Sequence, residues 1–102
     1  MKFLVNPQTE RGGRLTARIG FRFVYKRDKY KAKDTLKSLK NYWNKAYSRC
    51  LMVISSQDAK FLSTSEGKQA LRKMLVGELT LTLFPQKLAI VEDILWTEYF
   101  LQ

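Results

Sequence analysis

"LTARIGFRFVYKRDKYKAKDTLKSLKNYWNKAYSRCLMVI", residues 15–54, changes its hydrophobic period in the middle, and that change decides the fold. In the first part Leu15, Ala17, Ile19, Phe21, Phe23 and Tyr25 fall on one parity, with Thr16, Arg18, Gly20 and Arg22 on the other. A period of two belongs to a half-buried strand, here with a basic outer face. After Asp28 the apolar residues Ala32, Leu36, Leu39, Trp43, Ala46, Cys50 and Ile54 are spaced three or four apart. On a helical wheel they span roughly 80°, the stripe of a helix lying on a sheet. A strand running into such a helix predicts an α/β (α+β) domain, a small sheet with packed helices.

Upstream, "KFLVN" (residues 2–6) reads as a short strand stopped at Asn6-Pro7, a turn initiator that disfavours helix at the preceding residue. Gly12-Gly13 then permits the positive φ angles of a hairpin connection. RGG-type RNA contact is the sharper alternative reading of the flanking arginines.

Downstream, "ISSQD" (residues 54–58) ends or bends the long helix. A second helix opens in "STSEGKQALRKML" (residues 63–75). Ser63 or Thr64 is its cap, Glu66 sits at the positive end of its dipole, and Ala70, Leu71, Met74 and Leu75 form its apolar side. "LTLTLF" (residues 79–84) alternates like a strand, but helix to about Leu83 with Pro85 as the stop is preferred. The terminal run "IVEDILWTEYFLQ" (residues 90–102) carries apolar residues on both parities. That predicts a strand over Ala89–Leu101 covered on both faces or paired between neighbours.

With 102 residues, 45% of them hydrophobic and 27% charged, the chain is expected to form one globular domain, residues 1–102, with its own core. Its single cysteine, Cys50, has no internal disulfide partner and takes a core position. The net charge of +10 is uneven: residues 11–49 hold thirteen Lys and Arg against Asp28 and Asp34, leaving the other 63 residues at −1.

No catalytic constellation is legible. Without histidine there is no Ser-His-Asp or Cys-His nucleophile, and zinc lacks its commonest ligand after cysteine. Glu92 and Asp93 are sequence neighbours, which on a strand point to opposite faces. The glycines match neither a P-loop nor a dinucleotide fingerprint. No enzyme activity and no cofactor are expected.

The basic residues are the one strong physical feature. Arg18, Arg22, Lys33, Lys37 and Lys40 are the candidate anionic contact face. It is either a surface for phosphates or anionic lipid, gaining from counterion release, or a solvated helix face. Phe21, Phe23 and Trp43 have core periodicity, so the charge comes without the exposed aromatics that base stacking needs.

Two segments together resemble the carboxyl-terminal half of the FliL family of flagellar basal-body-associated proteins. "VISSQDAKFLSTSEGKQALRKML" (residues 53–75) is similar to a serine pair, a short spacer ending in leucine, then Thr-Pro-Glu-Gly-Lys leading a helix; Ser65 stands in the proline's place. "VEDILWTEYFLQ" (residues 91–102) is similar to the family's terminal pattern, which characteristically stops at glutamine. "FLVNPQTERGGRLTARIGFRF" (residues 3–23) resembles the family's opening strand, glycine-bearing loop and second strand.

The resemblance implies a non-enzymatic flagellar motor protein whose periplasmic domain is similar to the SPFH domain of stomatin-like proteins. It further implies a homo-oligomeric ring around the MotA/MotB stator unit that favours its ion-conducting state and supports torque and swarming. The family's amino-terminal membrane helix has no counterpart in residues 1–102, so the expectation is an excised periplasmic domain at the inner membrane. The rival expectation is a small basic cytoplasmic nucleic-acid-binding domain; on the FliL reading no specific nucleic-acid partner is expected.

Overall fold

The alternation over residues 15–25 survives in three dimensions as the central strand of an antiparallel sheet, visible in a computed structural model that describes residues 1–5, 14–25, 32–85 and 89–101. The elements in order are β1 (Lys2–Val5), β2 (Leu15–Tyr25), α1 (Ala32–Ser55), α2 (Ala59–Leu62), α3 (Ser65–Leu83) and β3 (Ala89–Leu101). The strands lie in the order β1-β2-β3, and the architecture is α+β. Both long strands, the long helix and the helix ending before Pro85 stand where the hydrophobic periods put them. The hairpin assigned to Gly12-Gly13 lies outside the described residues.

One face of the sheet is buried. Leu15, Ala17 and Ile19 of β2 and Phe3 and Val5 of β1 join Ala46, Cys50 and Ile54 of α1 and the leucines of α3 in a single core. Aromatic pairs link the sheet to the helices: Phe3 stacks on Tyr47 at 5.3 Å, Phe21 meets Trp43 at 5.9 Å, and Phe23 meets Phe84 at 5.3 Å. Such ring contacts add to the burial itself.

β3 corrects an expectation. Among the described residues it is an edge strand, with β2 as its one strand neighbour, and not a strand covered on both faces or held between neighbours. Its mixed parity comes from two register shifts against β2, which leave Thr97 and Glu92 without direct partners. Each bulge flips the side chains that follow to the opposite face. The inward series therefore runs Ala89, Val91, then Ile94, Trp96, then Tyr99, Leu101, and the outward apolar residues are Ile90, Leu95 and Phe100.

The helix layer also departs from the wheel. Leu36 is 55% exposed, while Thr35 and Ser38 are buried in its stead. The first turns of α1 face the end of α3, where carbonyls lack intrahelical donors. Ser38 Oγ donates to the Leu83 carbonyl at 2.6 Å, which makes a polar residue the better fit at that contact. On α3, Leu71 and Leu75 are buried as expected, but Met74 is exposed, and the buried row is Gly67, Leu71, Leu75, Leu79 and Leu83. A row at four-residue spacing inclines around the helix, so α3 buries successive turns against different neighbours. Near Gly67 the neighbour is α2, at Leu83 it is α1.

α2 is a single turn that the sequence reading did not separate. Asp58 caps it, accepting from Lys60 N at 2.8 Å. Thr64 is the α3 cap, its hydroxyl accepting from Gly67 N at 2.9 Å while donating to the Phe61 carbonyl at 2.7 Å.

Candidate functional site

The five basic residues singled out from the sequence fall in two places. Arg18 and Arg22 project from β2 onto the sheet face opposite the core, and both meet carboxylates of β3: Arg18 lies 4.0 Å from Glu98 and Arg22 lies 2.9 Å from Glu92. Lys2 of β1 also reaches Glu98, at 4.0 Å. Lys33, Lys37 and Lys40 are exposed on α1, the helix packed against the buried face of the sheet. The sheet thus separates the two arginines from the three lysines, and the arginine charges are locally balanced. Exposed pairs of this kind contribute little stability, so their effect is on the potential of the surface.

Sequence reasoning missed the other content of that outer face. Leu4, Val24, Ile90, Leu95 and Phe100 are each at least half exposed there, and among the described residues no element covers them. The signal was the spacing of five between Ile90, Leu95 and Phe100, which is what a strand with a bulge in each interval produces. In register, Gly20 lies beside Leu95. A Cβ added at Gly20 would meet nothing within 4 Å, and an open hollow of about 360 Å³ lies there, edged by Arg22, Asp93 and Leu95.

At one rim of this hollow Arg72 of α3 grips Asp93 with two bonds, Nε to Oδ1 at 2.8 Å and Nη2 to Oδ2. The guanidinium hydrogen bonds hold the Asp93 carboxyl below the ordinary aspartate range, helped by the Ile94 N–H and opposed by desolvation. The Val91 N–H donates to Thr80 Oγ1 at 3.1 Å and the Tyr99 hydroxyl donates to the Leu62 carbonyl at 2.6 Å, so the helix layer clamps the edge strand along its length.

Cys50 is fully buried, and burial, with the Glu78 carboxylate as a second cause, pushes its thiol up to about 12. It is a core side chain and no nucleophile. Among the described residues no cluster of three His, Cys, Asp or Glu could hold a metal ion, and no helix is long and apolar enough to cross a membrane.

The molecule thus presents surfaces: an uncovered sheet face with paired charges and a helix layer edged with lysine. This is a small α+β domain, the class the fold defines, and a fold of this kind does not by itself state a function. Residues 1–102 match the family described as flagellar basal body-associated protein FliL, and the chain belongs to that family. It is accordingly a flagellar basal-body-associated accessory protein. No curated protein matches the chain.

Proposed function

We propose that this domain forms a ring on the periplasmic side of the bacterial inner membrane, surrounding the MotA/MotB stator unit and stabilising its ion-conducting state. The observation that carries the reading is membership of the FliL family over the whole chain. The mechanism is population shift. A ring that binds only the extended stator raises the occupancy of that state by its differential affinity and by nothing else. Attachment through a membrane helix upstream of residue 1 would concentrate protomers, so that contacts too weak to form a ring in dilute solution close one at the membrane.

Lys33, Lys37 and Lys40 then form the anionic contact face of α1, directed at phospholipid headgroups. Arg18 and Arg22 take no part in it, since they lie on the other side of the sheet and are paired with glutamates.

The test is motor output under load in cells deleted for the protein and complemented with it. The expected result is loss of torque at high load and of swarming in the deletion, with filaments still assembled. Motors that keep full torque under load without the protein would overturn the reading.

A further inference from the structure

The outer face of the sheet has a charge pattern that fits a second copy of itself. β2 presents Arg18 and Arg22; β3 presents Glu98 in the row of Arg18 and, at the bulge beside the row of Arg22, Glu92. Between these rows Gly20 leaves a hollow on β2, while Leu95 projects from β3 with 68% of its surface exposed. In the last row Val24 lies beside Ile90. Each strand therefore offers what the other lacks: cations against carboxylates, a hollow against a knob, and apolar against apolar.

We propose that two copies of this domain pack outer face to outer face about a two-fold axis that runs parallel to the strands, between β2 and β3. The rotation sets β2 of each copy over β3 of the other. Leu95 then enters the hollow above the partner's Gly20, Arg18 faces the partner's Glu98, Arg22 faces the partner's Glu92, and Val24 lies on the partner's Ile90. A two-fold contact must be self-complementary in this manner.

Charge selects this face over the rest of the molecule. A chain of net charge +10 repels its copies, but Lys2, Arg18 and Arg22 are balanced by Glu92 and Glu98 to within one charge. Area sets the strength. β2 and β3 have 11 and 13 residues, so at about 3.4 Å per residue and about 4.8 Å per strand the two present on the order of 400 Å² per copy. This is below the size of stable complexes, so the dimer is weak and fills only at high concentration. Because the contact closes on itself, it builds no ring, and it holds or fails independently of the ring reading.

The experiment is sedimentation equilibrium of the domain from micromolar to millimolar concentration, with three variants and a vesicle arm. Gly20→Val places a side chain in the hollow with its Cβ more than 4 Å from any neighbour, and a β-branched residue suits a strand, so its monomer should melt no lower than the parent. The parent should form a weak dimer. Gly20→Val and Leu95→Arg should each raise its dissociation constant at least about tenfold. Leu81→Arg, at an exposed site on α3, should leave it unchanged. A parent that stays monomeric to millimolar concentration would overturn the proposal, as would a dimer that Gly20→Val and Leu95→Arg leave intact. So would a monomer that binds vesicles of anionic phospholipid through this face and loses them on Leu95→Glu, a variant made for the vesicle arm, since lipid would then be the occupant.

Discussion

A Cβ placed on Gly67 would sit 1.8 Å from the carbonyl oxygen of Phe61 and 2.5 Å from its carbonyl carbon. The first turn of α3, in the chain's FliL-like Thr-Ser-Glu-Gly-Lys stretch, is thus pressed against the backbone of α2, and backbone cannot rotate away as a side chain can.

Gly67→Ala should therefore destabilise the domain. Alanine gains about 1 kcal/mol of helix propensity over glycine, but overpacking typically costs about 1 to 3 kcal/mol, and a contact this close to rigid backbone falls at the upper end, so the clash wins. Gly77→Ala is the control: it lies within α3, its added Cβ meets nothing within 4 Å, and it should stabilise by about 0.5 to 1 kcal/mol. Urea denaturation of both variants measures the pair, and equal effects would show that the approach at Gly67 can relax.

The Arg72–Asp93 pair makes stability depend on acid. Because the folded-state pKa of Asp93 lies below its unfolded value, the unfolded chain binds more protons between the two. The stabilisation is present above the ordinary aspartate range and is lost as pH falls through the folded value. Asp93→Asn should flatten the fall in melting temperature below about pH 4. A variant whose acid profile superimposes on the parent's would show that the pair contributes no linkage.

Cys50 should be inert to maleimide and to aromatic disulfide reagents in the native state at pH 8, since its thiol is buried and its pKa is pushed up to about 12. Labelling should appear only with unfolding and track the fraction unfolded in urea. Rapid stoichiometric labelling of the native protein would place Cys50 outside the core.

Tyr99 ties the end of β3 to α2. Tyr99→Phe removes the donor to the Leu62 carbonyl and should cost about 1 kcal/mol. Deleting residues 97–102 goes further, because it strips the half-buried Tyr99 and Leu101 and leaves β2 paired to β1 alone from Leu15 to Arg18. The lost burial is on the order of 3 kcal/mol before the uncovered backbone is counted, a large share of a small domain's stability. The truncated chain should aggregate or lose its cooperative melt; a melt near the parent's midpoint would show that the terminal strand is dispensable.

The elements legible in advance were those whose signal is local. Period two over residues 15–25, period 3.6 after Asp28 and Pro85 after Leu83 each act within a few residues, and each element stands where they put it. Thr64 was legible as one of two caps for the same reason, and its hydroxyl takes the Gly67 N–H. The candidate basic residues were legible as charges but not as a surface. Arg18 and Arg22 carry the same sign as Lys33, Lys37 and Lys40, yet the sheet stands between the two groups and the arginines are neutralised by Glu98 and Glu92, far along the chain.

The sequence by itself determined the α+β class, the order of the strands and the two long helices, the placement of Cys50 in the core and the FliL family pattern, because periodicity, caps and breakers are properties of neighbouring residues. Only the tertiary structure decided that β3 is an edge, that Thr35 and Ser38 displace Leu36 at the helix contact, and that Leu4, Val24, Ile90, Leu95 and Phe100 share one uncovered face. Those outcomes depend on strand register and on which element happens to lie opposite. Two bulges invert the parity of β3, and no pattern confined to that strand states which face its partner will cover.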